Sequence, residues 1–348
     1  MTVDPSADLG PLLDAVAEGR PLTADEAERA FDRFMDGSAT EIQMAGFLLG
    51  LQSRGVTPAE VAGGVRALRK AMVPVAFADP DRLVDTAGTG GGSVTTFNIS
   101  TAAAFVVAGA GAPVAKHGNR SFTSKSGSAD VLEALGVRID LTPERMAGVL
   151  SEAGIVFMFA PLLHPAMRHV GPVRRGLGVR TVMNILGPLT NPAGARRQVI
   201  GVADERLVDL IAGALAELGH LHALVVHGEP GMDEVSPLGS TRIAEVRGGE
   251  VRHRGLDLGA LGIEPVDAAG LAGGEPEDNA VIIERVLSGE GGAARTAVVL
   301  NAAAAILVAD LAGDWAAAIE AAERSIDRGA AGDALVALRE ATNVPAER

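Results

Sequence analysis

Apolar and polar positions alternate near the start of the chain with a period close to 3.6 residues. In LTADEAERAFDRFMDG, Ala27, Ala30, Phe31 and Phe34 recur at helical spacing, Thr23 stands as an N-cap with Glu26 three residues on, and Gly37 is the stop. TEIQMAGFLLGLQSRG repeats the pattern up to Gly55. TPAEVAGGVRALRKAM then opens with Thr57 as cap, Pro58 at the first helical position and Glu60 at the third. The spacing predicts helix and turn over residues 1 to about 73.

The prolines of VPVAFADPD break this pattern, and short apolar runs then alternate with helical ones. RLVD, PVAKHG, IVFMFA, RQVIGVAD and HALVVHG read as strands. ISTAAAFVVAGAGA, SADVLEALG, TPERMAGVLSEAG and ERLVDLIAGALAELG read as helices. STRIAEVRGGEVRHRGLD predicts a hairpin around Gly248 and Gly249, and Glu277 to about Ala341 is mostly helical. HPAMRHVGPVRRGLGVRTVMNILGPLTNP interrupts the alternation with helical spacing, so a segment over about 164–187 is expected to cross back to the N-terminal helices. The expected class is α/β: a small all-helical N-terminal domain over 1–73, and a larger α/β domain over 80–163 and 190–348. The larger domain is expected to hold a central, largely parallel sheet flanked by helices. No internal repeat is present.

Composition narrows the chemistry. The chain has 348 residues, 47% hydrophobic and 21% charged, which suits a folded protein larger than one core usually grows. It contains no cysteine, which excludes disulfides, thiolate metal sites and cysteine nucleophiles. The acidic N-terminus lacks the basic start and apolar core of a signal peptide, and no apolar run is long enough to span a bilayer, so a cytoplasmic protein without membrane association is expected. A net charge of -14 repels phosphate backbones and argues against nucleic acid as partner.

The loop GTGGGSVTTFNIST leaves the end of a strand and enters a helix. There, unpaired N–H groups point outward, the helix dipole favours negative charge, and glycines admit a phosphate close to the main chain. Many such turns simply turn. No lysine follows as in a P-loop, and no third glycine completes the dinucleotide fingerprint. Positive charge is carried by arginine almost throughout, so the lysines Lys116 and Lys125 inside KHGNRSFTSKSGSAD stand out as point charges suited to phosphate. Asn119, Arg120, Ser121, Thr123, Ser124 and Ser128 accompany them. EPGMDEVSP places Asp233 and Glu234 side by side after another strand, hard oxygen ligands of the kind that suit Mg²⁺. Adjacent acids are also common on surfaces. His169, His220, His222 and His253 have no partner at metal-ligand spacing, and His227 is expected to pack.

GTGG with TFNIST, KHGNRS with SGSAD, HPAMRHVGPVR, NILGPLTNP and GMDEVSP, in this order and spacing, resemble the anthranilate phosphoribosyltransferases of tryptophan biosynthesis over essentially the whole chain. The resemblance implies a helical domain hinged to an α/β domain, closure of the two over the substrates, and a homodimer through the helical domain. It implies that 5-phosphoribosyl 1-pyrophosphate lies on Gly88, Thr89, Gly90, Gly91, Gly92, Thr96, Asn98, Ile99, Ser100 and Thr101. Lys116, His117, Gly118, Asn119, Arg120, Ser121, Thr123, Ser124 and Ser128 complete that cradle. Anthranilate is assigned to Gly88, Asn119, His164 and Arg174, and two Mg²⁺ ions to Ser100, Asp233 and Glu234. Lys116, Asn119 and Arg120 are the candidate catalytic groups. The family usually reads GTGGD, and this chain departs from it with Gly92 at the aspartate position and Ser93 after it. The alternatives are an enzyme like pyrimidine nucleoside phosphorylase, which has little need of the carboxylate pair, and a non-catalytic relative that binds nucleic acid.

Overall fold

A computed structural model describes residues 9–121 and 125–344 of the chain. The helical opening consists of α1 (Gly10–Ala17), α2 (Ala24–Met35), α3 (Glu41–Arg54) and α4 (Pro58–Ala71). Both expected caps form full capping boxes: the Thr23 and Thr57 hydroxyls accept from the N–H groups of Glu26 and Glu60, whose carboxylates accept in return. Phe31, Phe34 and Phe47 interlock edge to face, with ring centroids 5.3, 5.4 and 5.7 Å apart. Glu60 has a second role that the cap pattern does not reveal. It is fully buried, pairs with Arg54 of α3, and accepts from the Leu22 N–H at 2.8 Å ahead of α2.

Beyond residue 73 the order is β1 (Val84–Gly88), α5 (Ile99–Gly109), β2 (Val114–Gly118), α6 (Ser128–Ala134), α7 (Pro143–Ala153) and β3 (Ile155–Phe159). The crossing segment carries α8 (Ala160–Leu163), α9 (Met167–Leu177) and α10 (Met183–Leu186). Then come β4 (Arg197–Gly201), α11 (Leu207–Glu217), β5 (His222–Gly228), the hairpin β6 (Thr241–Arg247) and β7 (Glu250–Leu256), and α12 (Pro276–Leu287), α13 (Ala293–Val308), α14 (Trp315–Asp327) and α15 (Ala330–Asn343). The strands form one seven-stranded sheet in the order β3-β2-β1-β4-β5-β6-β7, parallel up to β5 and antiparallel in the hairpin.

Alternating residues of the strands feed two cores. Val199, Leu224, Val226 and Ile243 pack with the layer containing α5, α7 and α12 to α15. Ile200, Ala223, Val225, Ala244 and Val246 pack with α11 and with the helical opening. Val170 and Val173 of α9 pack in that second core with residues of the N-terminal helices. The apolar interior of the opening is thus continuous with one face of the sheet. Among the described residues no helix is long and apolar enough to cross a membrane. β1 and β4 are neighbours, while the connections from β1 and from β4 run outward in opposite directions. This is a topological switch point, where the carboxyl ends of the strands leave a crevice.

Candidate active site

Gly88 and Gly201 end β1 and β4 side by side at the switch point. Neither position has room for a side chain. A Cβ at Gly201 would stand 1.7 Å from the Asp233 carbonyl oxygen, and one at Gly88 would stand 2.6 Å from Asp233 Oδ2. These close approaches let the loop after β5 fold down onto the strand ends. Asp233 Oδ2 accepts the Gly90 N–H at 2.8 Å. Ser93 fastens the far side of the glycine loop, its N–H donating to the Gly231 carbonyl and its hydroxyl to the Pro230 carbonyl, each at 2.9 Å. Glu234 turns to the other end of the loop and accepts the Ser100 N–H in the first turn of α5. Asn98 does not cap α5 with its own side chain, so a carboxylate from a distant loop meets the positive end of that helix.

Burial pushes the Glu234 carboxyl up to about 8, the Asp233 charge adding to the shift and Lys116 opposing it. Burial raises Asp233 as well, while the Gly90 N–H and Arg180 draw it back. Lys116 is 4% exposed and reaches across β1, its Nζ donating to the Thr86 carbonyl at 2.5 Å, the Thr86 hydroxyl at 3.2 Å and the Ser100 hydroxyl at 3.5 Å. Asp85 is fully buried, its Oδ1 accepting from the His117 N–H at 3.1 Å and its Oδ2 from Asn191 at 2.8 Å and Gln198 at 3.1 Å. Lys116 thus answers to two carboxylates, Asp85 and Glu234, which raise its pKa against the lowering caused by burial.

Several expected ligand donors prove to be engaged within the protein. Lys116 was expected at the rim of the sheet as a phosphate cation, yet it is buried with its three N–H donors directed at Thr86 and Ser100. Arg120 lies over the Phe159 ring and is held by Asp130 at 2.9 Å and Glu133 at 2.5 Å. The Asn98 amide cross-links Ser126 and, at 2.9 Å, Asn279 of α12. Ile99 and Thr101 are each 1% exposed, so their side chains belong to the interior. Asn119 Oδ1 accepts from the Arg120 N–H at 2.7 Å, and its carbonyl accepts from the Ser128 hydroxyl at 3.3 Å. The Ser121 N–H is bonded to Asp130. Thr123 and Ser124 lie outside the described residues.

Other groups remain available. Gly90 and Gly91 have φ of +68° and +82°, which glycine tolerates, and the N–H groups of Gly91 and Gly92 have no partner among the described residues. Gly88 is exposed, and Thr89 and Thr96 are partly so. Gly118 ends β2 and leads into the Asn119 turn. His117 and His164 face each other with Nε2 atoms 3.2 Å apart; burial lowers them to about 3 and about 4, so both are neutral at pH 7. They tie the end of β2 to the crossing segment. Arg174 of α9 is partly buried and makes no side-chain hydrogen bond among the described residues, and burial lowers its pKa. The remaining buried histidines have structural partners: His220 bonds Gln198 at 2.8 Å and His222 bonds Glu245 at 3.0 Å.

Sequence reasoning missed Asp85, Asn191, Gln198, Asn279 and Arg180. Only the DTAGTGGG context of Asp85 hinted at a role, because the other contacts join positions far apart in the chain, 106 residues for Asn191, 113 for Gln198 and 181 for Asn279. Among the described residues no group of three or more His, Asp or Glu side chains gathers as a metal site. A cavity of about 550 Å³ lined by Glu229, Pro230, Leu238, Gly239, Val266, Asp267 and Ala268 opens beside the loop after β5; it contains two carboxylates and no cation, which does not suit a phosphate.

The family model described as the glycosyl transferase family α/β domain matches residues 80–332, and the helical bundle domain of the same family matches residues 10–72. An anthranilate phosphoribosyltransferase of Thermomicrobium roseum is 51% identical over 97% of this chain and 98% of its own length. Another from Symbiobacterium thermophilum is 49% identical, covering 95% of this chain and 97% of its own. The crystal structure of the Thermus thermophilus enzyme superposes with a TM-score of 0.90 at 40% identity, over 95% of this chain and 99% of that one. The Saccharomyces cerevisiae enzyme in complex with PRPP and Mg does so with a TM-score of 0.86 at 26% identity, over 97% and 99%. With both domains of the family matched and relatives about half identical over nearly the whole chain, this chain belongs to the anthranilate phosphoribosyltransferase family.

Proposed function

We propose that the protein transfers the phosphoribosyl group of 5-phosphoribosyl 1-pyrophosphate to the amine of anthranilate, releasing pyrophosphate, in cytoplasmic tryptophan biosynthesis. The observation that carries the reading is the placement of two adjacent carboxylates, Asp233 and Glu234, at opposite ends of a glycine loop with unpaired N–H groups. A diphosphate fits the Gly91 and Gly92 amides, with Thr89, Thr96 and the Asn119 turn around the sugar phosphate. Asp233, Glu234 and the Ser100 hydroxyl would hold Mg²⁺. The donor set fits: two dehydrated carboxyls with a raised pKa favour a divalent cation, and Mg²⁺ takes one or two carboxylates while keeping water and phosphate oxygens. We assign two ions, one to each carboxylate. When bound, magnesium neutralises charge building on the departing diphosphate.

The chain's own groups account for the rest. Unpaired Arg174 is suited to the anthranilate carboxylate. Lys116 holds Ser100 and Glu234 in place from beneath rather than meeting the phosphate itself. The amine attacks the anomeric carbon as the bond to the diphosphate oxygen breaks, and it then sheds its proton. Positioning supplies much of the rate. Mixing the protein with anthranilate, 5-phosphoribosyl 1-pyrophosphate and magnesium is expected to quench anthranilate fluorescence. No turnover with all three present, or turnover of a pyrimidine nucleoside with inorganic phosphate, contradicts the reading.

Gly92 bears on the ions. A Cβ there would stand 3.2 Å from both Asp233 Oδ1 and the Gly231 carbonyl, so an aspartate would add a carboxyl beside Asp233. Gly92→Asp is expected to lower the magnesium concentration for half-maximal rate by about tenfold, or about 1.4 kcal/mol. Superimposable magnesium curves for the variant and the wild type would discard this role.

We infer a homodimer through the helical opening. Ile42 and Leu49 of α3 are 85% and 40% exposed and lie seven positions apart on one face of that helix. Ile42→Glu combined with Leu49→Glu is expected to halve the mass measured by light scattering. A wild-type protein that is already monomeric contradicts this interface.

A further inference from the structure

Arg180 lies just beyond α9, two residues after Gly178, which ends that helix at a φ of +63°. The segment packs with the helical opening, yet its guanidinium reaches the glycine loop of the sheet. A Cβ built at Gly91 would stand 2.0 Å from Arg180 Nη2 and 3.0 Å from its Cζ. The guanidinium therefore occupies the space that any side chain at position 91 would need.

Other arginines of this acidic chain find carboxylates: Arg120 meets Asp130 and Glu133, Arg196 meets Asp81, and Arg197 meets Asp310. Arg180 is exposed and makes no hydrogen bond or ion pair among the described residues. Its field nevertheless reaches Asp233. It stands beside the unpaired amides of Gly91 and Gly92, where Lys116 and Arg120 do not offer a free donor. A planar fork of N–H groups at such a place matches two oxygens of a phosphate.

We propose that Arg180 is a diphosphate-binding residue of this enzyme, gripping the leaving group from the crossing segment against the Gly91–Gly92 turn. This rests on the reaction proposed above. As the bond from the anomeric carbon to oxygen breaks, its electron pair leaves with the diphosphate, and the fixed cation of Arg180 meets that growing charge while the nitrogen–carbon bond forms and the amine proton goes to solvent. The helical side of the molecule thereby senses whether the diphosphate is present.

The test is calorimetric titration of the full-length protein with magnesium pyrophosphate, beside steady-state kinetics. Arg180→Gln is expected to weaken pyrophosphate binding by about tenfold or more and to lower kcat by about a hundredfold, with KM for anthranilate unchanged. Arg180→Lys, which keeps charge without the fork, is expected to fall between and guards against a glutamine variant that does not fold. Pyrophosphate affinity within about twofold of wild type in both variants overturns the proposal, as does an equal loss of anthranilate affinity, which marks a merely structural arginine. A wild type that binds pyrophosphate but does not turn over anthranilate overturns the proposed reaction instead, and the titration still decides the role of Arg180.

Discussion

Exchanging Glu234 for glutamine is expected to lower kcat/KM by about a thousandfold, roughly 4 kcal/mol of transition-state stabilisation, in a protein that remains folded. The amide oxygen still accepts from the Ser100 N–H, so the start of α5 keeps its partner, and a carboxyl that repels Asp233 is gone. What disappears is the charge that a divalent ion needs. The same group sets the pH dependence. With its pKa raised to about 8, an ion must displace a proton from Glu234 at lower pH. Wild-type magnesium affinity is therefore expected to rise about tenfold per pH unit up to about pH 8 and then level off, and Glu234→Gln flattens that slope. Activity of the variant within about tenfold of wild type, or a wild-type affinity that ignores pH, contradicts the assignment.

Asp85→Ala is expected to have the largest effect on stability, about 3–5 kcal/mol. The carboxylate is fully buried and accepts from the His117 N–H, Asn191 and Gln198, so its removal orphans the His117 N–H and takes one of two acceptors from each amide, which keep the Ala115 and Pro188 carbonyls. It also takes from buried Lys116 one of the two carboxylates that hold its charge. Asn191 belongs to the segment returning from the helices and Gln198 to β4, so the loss loosens the floor of the crevice from several sides. A fall in melting temperature of about 4–7 °C follows, measured by circular dichroism. Asp85→Asn keeps the volume, but its amide N–H₂ must face either the His117 N–H or the Asn191 and Gln198 amides, and the charge that answers Lys116 is lost, so it is expected to recover little. A melting temperature within about 2 °C of wild type in both variants contradicts the network.

The periodic elements were legible because their signals are local. Thr23 with Glu26 and Thr57 with Glu60 marked helix starts, and Gly248 and Gly249 marked the hairpin. The glycine loop could be placed at the end of a strand because a strand pattern precedes it and a helical pattern follows. The state of each donor could not be read. Lys116 looks like a phosphate ligand in KHGNRS, but Thr86 and Ser100 take its protons across two other elements. Arg120 looks free until α6 brings Asp130 and Glu133 beneath it. Arg180 shows the converse. No sequence motif singles it out, and only the folding of the crossing segment over Gly91 gives it a place. Which hydrogen bonds a polar side chain makes is decided by long-range packing, which spacing along the chain does not encode.

Crystals grown with manganese in place of magnesium, together with 5-phosphoribosyl 1-pyrophosphate, test the central claim most directly. The expected map has two anomalous peaks, one at the Asp233 carboxylate and one at the Glu234 carboxylate, with diphosphate oxygens on the Gly91 and Gly92 amides. A diphosphate seated in the cavity lined by Glu229 and Asp267, or manganese away from both carboxylates, contradicts the account.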